Sequence, residues 1–287
     1  MSKFTPCFSE YIHDDLRVQY KIKEILYSQQ SAFQKVEVVE TKGFGRMLFN
    51  DNIAMVSEKD EFIYHDMLTH VPLFTHPSPQ NVLVIGGGDG GTIREVLRHS
   101  SVKKATLVEI DECVVKACEE FMPQLSSALK DKKCHVLFED GAKFVEETDE
   151  KFDIILVDST DPLGPSVPLF NTKFYKNVYR ILNEDGIVVS QAESPYYYEK
   201  EQTNLLRTIK SIFDNLYLYK YSNLIYPGGM WCFAMGTKKY NPLEDSTLRR
   251  SSLKDFNTDY YTSSIHRESF VLPAFLNNRL KDLITNS

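Results

Sequence analysis

Apolar and polar residues alternate along the first sixty positions: Val18, Tyr20 and Ile22, then Val36 and Val38. A period of two predicts half-buried strands. TKGFG (residues 41–45) and NDN (residues 50–52) lie between short apolar runs and read as turns. A small set of hairpins is expected, too small to bury its own apolar faces. It should pack on the rest of the chain or on a second subunit. The period then changes. In SEKDEFIYHDMLTHVPLF (residues 57–74), Phe62, Ile63, Met67, Leu68 and Val71 share one helical face, with Ser57 as the cap and Pro72 as the stop.

From residue 81 strands and helices take turns. NVLVI precedes TIREVLRH, KATLVEI precedes ECVVKACEEF, and CHVLF leads to EDGAKFVEE. FDIILVD is followed by NTKFYKNVYRIL, and GIVVSQA by YEKEQTNLLRTIKSIF. Repeated strand–helix units of this length predict an α/β fold with a doubly wound parallel sheet. LYLYKYSNLIY and MWCFAMGTK close the pattern with no helix between them, so they should pair antiparallel. Residues 272–284 read as one more short helix. The domain boundary falls between a β-hairpin unit, residues 1–59, and a larger unit, residues 60–287.

Composition narrows the function. The 287 residues carry a net charge of -7, which argues against a nucleic-acid binder and is compatible with a cationic ligand. Cys7, Cys113, Cys118, Cys134 and Cys232 show no CxxC spacing and read as reduced thiols. No apolar run approaches the ~20 residues of a membrane span, and the first residues show no apolar core of a secretory signal. A cytoplasmic protein is expected. His65 and His70 are five apart, off a shared helical face, so no metal site is expected. Trp231 and Phe233 read as core. Tyr196, Tyr197 and Tyr198 read as core or interface.

Ligands of such sheets sit at the carboxyl ends of the strands. In VLVIGGGDGGTIREVL (residues 82–97), Gly86, Gly88 and Gly91 satisfy G-x-G-x-x-G between a strand and a helix, and Glu109 closes the next strand. An acidic residue there can accept from a ribose diol. Asp89 opposes a nicotinamide cofactor, because a pyrophosphate against this loop would face a carboxylate a few ångströms away. An adenosyl sulfonium, such as S-adenosylmethionine or a relative, meets no such conflict: its sulfonium and amine are cationic. Asp140 and Gly141 follow the third strand, where the carboxylate either accepts from an adenine amino group or caps the next helix. Asp158 and Asp161 end the fourth strand in LVDSTDPLGPSVPLF, which reads as a proline-restricted loop rather than a helix. Two carboxylates on one strand-end loop point to a site, unless one of them merely caps a turn.

Taken together, IGGGDGG, VEID, EDG and DSTDP resemble the polyamine aminopropyltransferases, the spermidine-forming members most closely. The likeness runs from SAFQKVEV through DEFIYHDML to YPGGMWCFAMGTK. It implies a small N-terminal antiparallel β domain, a Rossmann-like catalytic domain of methyltransferase type and a homodimer. It also implies transfer of the aminopropyl group of decarboxylated S-adenosylmethionine, a co-substrate rather than a prosthetic group, to a diamine, typically putrescine. Spermidine and methylthioadenosine would result.

Residue by residue, the resemblance gives Gln34 and Glu109 the ribose and methionine-derived part, Asp140 the adenine and Asp89 the terminal amine. Tyr64, Asp158, Asp161 and Tyr226 would line the diamine channel, with Gln191 nearby and residues 159–170 over the site. Asp158 is the expected proton acceptor. Met55 and His65 stand where many members have glutamine, which bears on substrate preference more than on reaction type. Two rivals share much of this pattern. A diamine N-methyltransferase would use intact S-adenosylmethionine, whose carboxylate Asp89 should repel. A non-catalytic polyamine-binding protein would have no need of Asp158 and Asp161 together.

Overall fold

The computed structural model describes residues 6–13, 16–160, 164–251 and 256–286, arranged around two sheets. The first is antiparallel, with β1 (Cys7–His13), β2 (Leu16–Gln30), β3 (Lys35–Thr41), β4 (Arg46–Asn50) and β5 (Ile53–Ser57) in sequence order. The NDN signal is a two-residue hairpin turn in which Asp51 and Asn52 take positive φ of 48° and 67°, the conformation that short polar side chains tolerate. The sheet curls, and Glu10 of β1 accepts the backbone N–H of Ala54 on β5 at 3.1 Å. One face, with Val36, Val38, Leu48 and Val56, packs on Cys113, Val114, Ala117 and Cys118 of a helix of the second unit. The hairpins thus bury apolar surface on the rest of the chain.

The second sheet has seven strands: β6 (Asn81–Gly86), β7 (Lys104–Glu109), β8 (Cys134–Phe138), β9 (Phe152–Asp158), β10 (Leu182–Gln191), β11 (Asn215–Tyr221) and β12 (Trp231–Thr237). Their order is β11-β12-β10-β9-β6-β7-β8. β6 to β10 run parallel, while β12 is antiparallel to both β10 and β11, the pairing expected of strands without a helix between them. Alternate residues serve opposite faces. Val82 and Val84 join Met67, Leu68 and Val71 in one core layer. Leu83 and Ile85 join Phe174, Val178 and Leu206 in the other. The helices are α1 (Glu61–Thr75), α2 (Gly91–Leu97), α3 (Glu112–Phe121), α4 (Pro123–Ser126), α5 (Gly141–Glu147), α6 (Thr172–Ile181), α7 (Glu199–Lys210), α8 (Asp245–Ser251), α9 (Ser263–Ser269) and α10 (Ala274–Leu280). The doubly wound α/β fold with an N-terminal antiparallel sheet is the one expected.

Several local expectations fail, for physical reasons. α1 starts at Glu61, not after Ser57, whose hydroxyl instead donates to Asp60 at 2.5 Å. Asp60 in turn accepts from the N–H groups of Leu224 and Ile225, so it ties the helix start to the loop after β11. Pro72 does not stop α1. It sits in the last turn of a helix buried from Tyr64 to Thr75, where packing outweighs one lost backbone bond. Burial on all sides also replaces the single apolar face expected. Residues 164–170 form a 3-10 helix, since the φ that proline imposes also suits that geometry. The tail helix is confined to Ala274–Leu280, and α8 and α9 precede it.

Asp66, His70 and Glu95 bring three possible ligand atoms within 4.8 Å of one another. All three take part in hydrogen bonds within the protein. Asp66 accepts from the N–H groups of Tyr260 and Tyr261, and Glu95 accepts from Arg94, Arg98 and His70. This buried network fastens the segment after α8 to α1 and α2. Among the described residues, no helix is long and apolar enough to cross a membrane.

Candidate active site

β6 is the switch point of the sheet: the chain passes from it to β7 and β8 on one side and later fills the other side with β9 and β10. A crevice opens at such a point, at the carboxyl ends of the strands. Gly86 at the end of β6 stands beside Asp158 at the end of β9. Gly86 and Gly87 hold φ of 79° and 72°, and a Cβ at either would lie within 2.1 Å of the Asp158 carbonyl oxygen or 2.5 Å of its Oδ2. Glycine is therefore required for the loop to abut Asp158. The cavity here measures about 560 Å³ and is also bordered by β1, β5, α1 and the loop before β12.

Asp158 receives a hydrogen bond on each oxygen. Tyr64 of α1 donates to Oδ1 at 2.8 Å, and Thr92 of α2 donates to Oδ2 at 2.6 Å. Burial and the charge of Asp89 push its pKa above the usual carboxylate value, against the pull of His65 and the two hydroxyls. Burial also drives the Tyr64 phenol well above its ordinary value, so it stays a donor.

Asp89 ends a chain of alternating charges. Arg94 holds Glu61 through two bonds of 2.9 Å, Glu61 meets His65 Nδ1 at 2.5 Å, and His65 Nε2 meets Asp89 Oδ1 at 3.3 Å. Burial lowers the His65 pKa, but Asp89 and Glu61 outweigh it and hold the imidazole well above its ordinary value. Asp89 accepts from the Gly91 N–H at 2.7 Å, and its pKa is lowered: burial opposes this, but His65 and Gly91 outweigh it. The His65 ring lies so close to Gly91 that a Cβ there would come within 2.2 Å of it.

Glu109 is fixed by two backbone donors, Gly88 at 3.1 Å and Asp111 at 2.9 Å. Burial raises its pKa to about 7, with Asp111 and Asp158 adding to the rise against those donors. Gln34 donates to Asp111 at 3.1 Å and borders the same part of the cavity. Asp140 caps α5, accepting from Ala142 at 2.8 Å, and also lines the cavity. Gly141 lines the cavity as well, and its missing side chain leaves the space that Ile85 fills.

At the other end, Tyr226 donates to the Met55 carbonyl at 2.7 Å and packs edge-on against Tyr64. Gln191 lies at the end of β10 and accepts from Glu193 N–H. Asp161 lies outside the described residues. Three groups on the cavity wall were not expected, Glu10, Tyr198 and Trp231, and neither was the hydrogen bond from Thr92 to Asp158 behind it. Trp231 is core and cavity wall at once, and Tyr198 faces the cavity while Tyr196 and Tyr197 are exposed. Glu10 had a signal: it shares the inward face of β1 with Phe8, where a carboxylate needs a reason. Asp89, Glu109, Asp158 and Glu10 around one cavity favour a cationic ligand with an apolar middle, and disfavour a pyrophosphate.

Two family models match the chain. Residues 61–246 match the spermine/spermidine synthase domain and residues 7–58 the spermidine synthase tetramerisation domain. The polyamine aminopropyltransferase of Methanocaldococcus jannaschii is 46% identical over 277 residues, covering 96% of this chain and 94% of that protein. That of Bacillus subtilis is 46% identical over 264 residues, covering 92% and 95%. A crystal structure of a spermidine synthase in complex with the transition-state analogue AdoDATO superposes with a TM-score of 0.94 at 36% identity, covering 96% of this chain and 95% of the other. The spermidine synthase of Thermotoga maritima superposes with a TM-score of 0.92, also at 36% identity, covering 96% and 94%.

Proposed function

The chain belongs to the spermine/spermidine synthase family of aminopropyl transferases, and from that premise we propose that it is a spermidine synthase, transferring the aminopropyl group of decarboxylated S-adenosylmethionine to putrescine. The observation that carries this reading is Asp158, a carboxylate held by Tyr64 and Thr92 at the sheet's switch point, opposite Gly86 of the glycine loop and within reach of the charge of Asp89 in that loop.

In this reading the nucleoside lies along β6, β7 and β8. Gly86, Gly88 and Gly141 line its place, their missing side chains letting Asp158, Glu109 and Ile85 come close to the backbone. Glu109 and Gln34 take the ribose and the methionine-derived part, Asp140 the adenine amino group and Asp89 the amine of the aminopropyl arm. The diamine lies between Tyr64, Asp158 and Tyr226, with His65 and Gln191 bordering it; the family pattern adds Asp161 and a covering segment 159–170, of which residues 161–163 lie outside the described residues. Aromatic walls suit its methylenes and its charge.

Putrescine near neutral pH is a dication, with amines titrating near ~10. An ammonium has no lone pair, so one amine must give up a proton. Asp158 takes it, and its raised pKa makes it a better acceptor than a carboxylate in water. The freed nitrogen lone pair attacks the carbon next to sulfur, the C–N bond forms, and the C–S bond pair returns to sulfur. The sulfonium becomes the neutral thioether of methylthioadenosine. Holding both substrates in line supplies much of the acceleration.

Residues 1–59 form the assembly unit and residues 60–287 the catalytic unit of at least a homodimer. The exposed Tyr11 on β1, Ile25 on β2 and Phe33 in the turn between β2 and β3 support this assembly. A cytoplasmic setting belongs to the same reading, supported by five free cysteines.

Asp158→Asn tests the base. Turnover with both substrates saturating should fall by roughly 10²–10⁴, the share general-base steps contribute. It should recover relative to wild type as pH approaches ~10, where free amine comes from solution. Normal turnover at neutral pH would refute the assignment.

A further inference from the structure

We infer that Thr92 is a positioning residue for the proton transfer: its hydroxyl holds Oδ2 of Asp158, keeps the carboxylate ionised and turns Oδ1 toward the acceptor amine. This rests on the reading of Asp158 as the base. Thr92 is the second residue of α2 and is fully buried, so its hydroxyl has no water to turn to. Its 2.6 Å bond to Asp158 is in the range of charge-assisted O–H···O⁻ bonds.

The two carboxylate oxygens are not equivalent. Oδ2 is walled in by Thr92 and by Gly87, where a Cβ would lie 2.5 Å away. Oδ1 is on the side of Tyr64, whose ring meets that of Tyr226 on the cavity wall. Tyr64 occupies one lone pair of Oδ1, and a carboxylate oxygen has a second. The terminal torsion of an aspartate is broad and two-fold. One donor would leave the carboxylate free to swivel; donors on opposite oxygens stop it.

The charges around Asp158 set what the bond does to its titration. Asp89 on the glycine loop and Glu109 at the end of β7 favour the protonated form, and His65 on α1 favours the ionised form. Tyr64 and the buried Tyr221 are neutral, their phenols raised by burial and by Asp158 itself. Tyr64 and Thr92 are the hydroxyl donors that oppose protonation. Removing the Thr92 hydroxyl raises the pKa of the base, because a donor to the charged form is lost.

The test is the pH profile of kcat for Thr92→Val and Thr92→Ser with both substrates saturating, beside Asp158→Asn. Valine keeps the shape and drops the hydroxyl; serine keeps the hydroxyl. Thr92→Val should move the acid limb up by about one pH unit, roughly a tenfold loss on that limb, with most activity regained on the plateau. Thr92→Ser should restore the wild-type limb. A Thr92→Val loss that is uniform with pH, a serine variant that behaves like valine, or an unshifted limb would overturn the inference. With Asp158→Asn still impaired, those results leave the base reading standing. Normal turnover of Asp158→Asn would instead remove the base, and this inference with it.

Discussion

Replacing Asp89 by asparagine separates the amine of the donor from its nucleoside. The carboxylate accepts from the Gly91 N–H at 2.7 Å through Oδ1, a bond an asparagine carbonyl can keep, so the loop should hold its shape. What is lost is the charge offered to the aminopropyl amine. A hydrogen bond to a charged group contributes about 1.5–3 kcal/mol. At 1.36 kcal/mol per tenfold that is roughly 10- to 150-fold in affinity. The nearby His65 already balances part of the Asp89 charge, which places the effect toward the lower end. Calorimetry on wild type and Asp89→Asn should therefore show decarboxylated S-adenosylmethionine weakened about ten- to thirtyfold, and methylthioadenosine, which lacks the amine, nearly unchanged. Equal losses for both ligands would show that Asp89 does not hold the amine. An unchanged donor affinity would refute the reasoning as well.

Methylthioadenosine binding should depend on pH through Glu109. With a pKa of about 7, it is mostly protonated at pH 6 and mostly ionised at pH 8, and the ribose hydroxyls donate to the ionised form. Affinity should rise across that window by roughly tenfold and then level off; a flat titration, or one unaffected by Glu109→Gln, would contradict the ribose assignment. Sedimentation of the whole chain at micromolar concentration should give a dimer or larger assembly, since Ile25 on β2 is 51% exposed and Phe33 in the following turn 42%; a monomer would contradict it.

Much of the fold is legible in the chain because its strands are buried and regular. FDIILVD and ECVVKACEEF coincide with β9 and α3 residue for residue. The glycine loop is legible for the same reason: Gly86 and Gly87 need positive φ beside Asp158, and few residues other than glycine accept it. The failures are equally physical. Ser57 and Pro72 mislead because tertiary partners, not local rules, set the ends of α1. α8 reads DSTLRRS, with one apolar residue, so it leaves no periodic trace. Thr92 carries no signal at all, since a threonine early in a helix is ordinary and its partner is 66 positions away. His65 reads as a departure in sequence, yet the structure sets it between Glu61 and Asp89, a contact no spacing discloses.

The central claim is that an aminopropyl group, not a methyl group, passes to the diamine. It is tested most directly by incubating the protein with putrescine and, in parallel, with decarboxylated or intact S-adenosylmethionine, and identifying the products by mass spectrometry. The account predicts spermidine and methylthioadenosine in equal amounts from the decarboxylated donor, and no transfer from the intact one. Methylated putrescine from intact S-adenosylmethionine, or putrescine binding with turnover of neither donor, would contradict it.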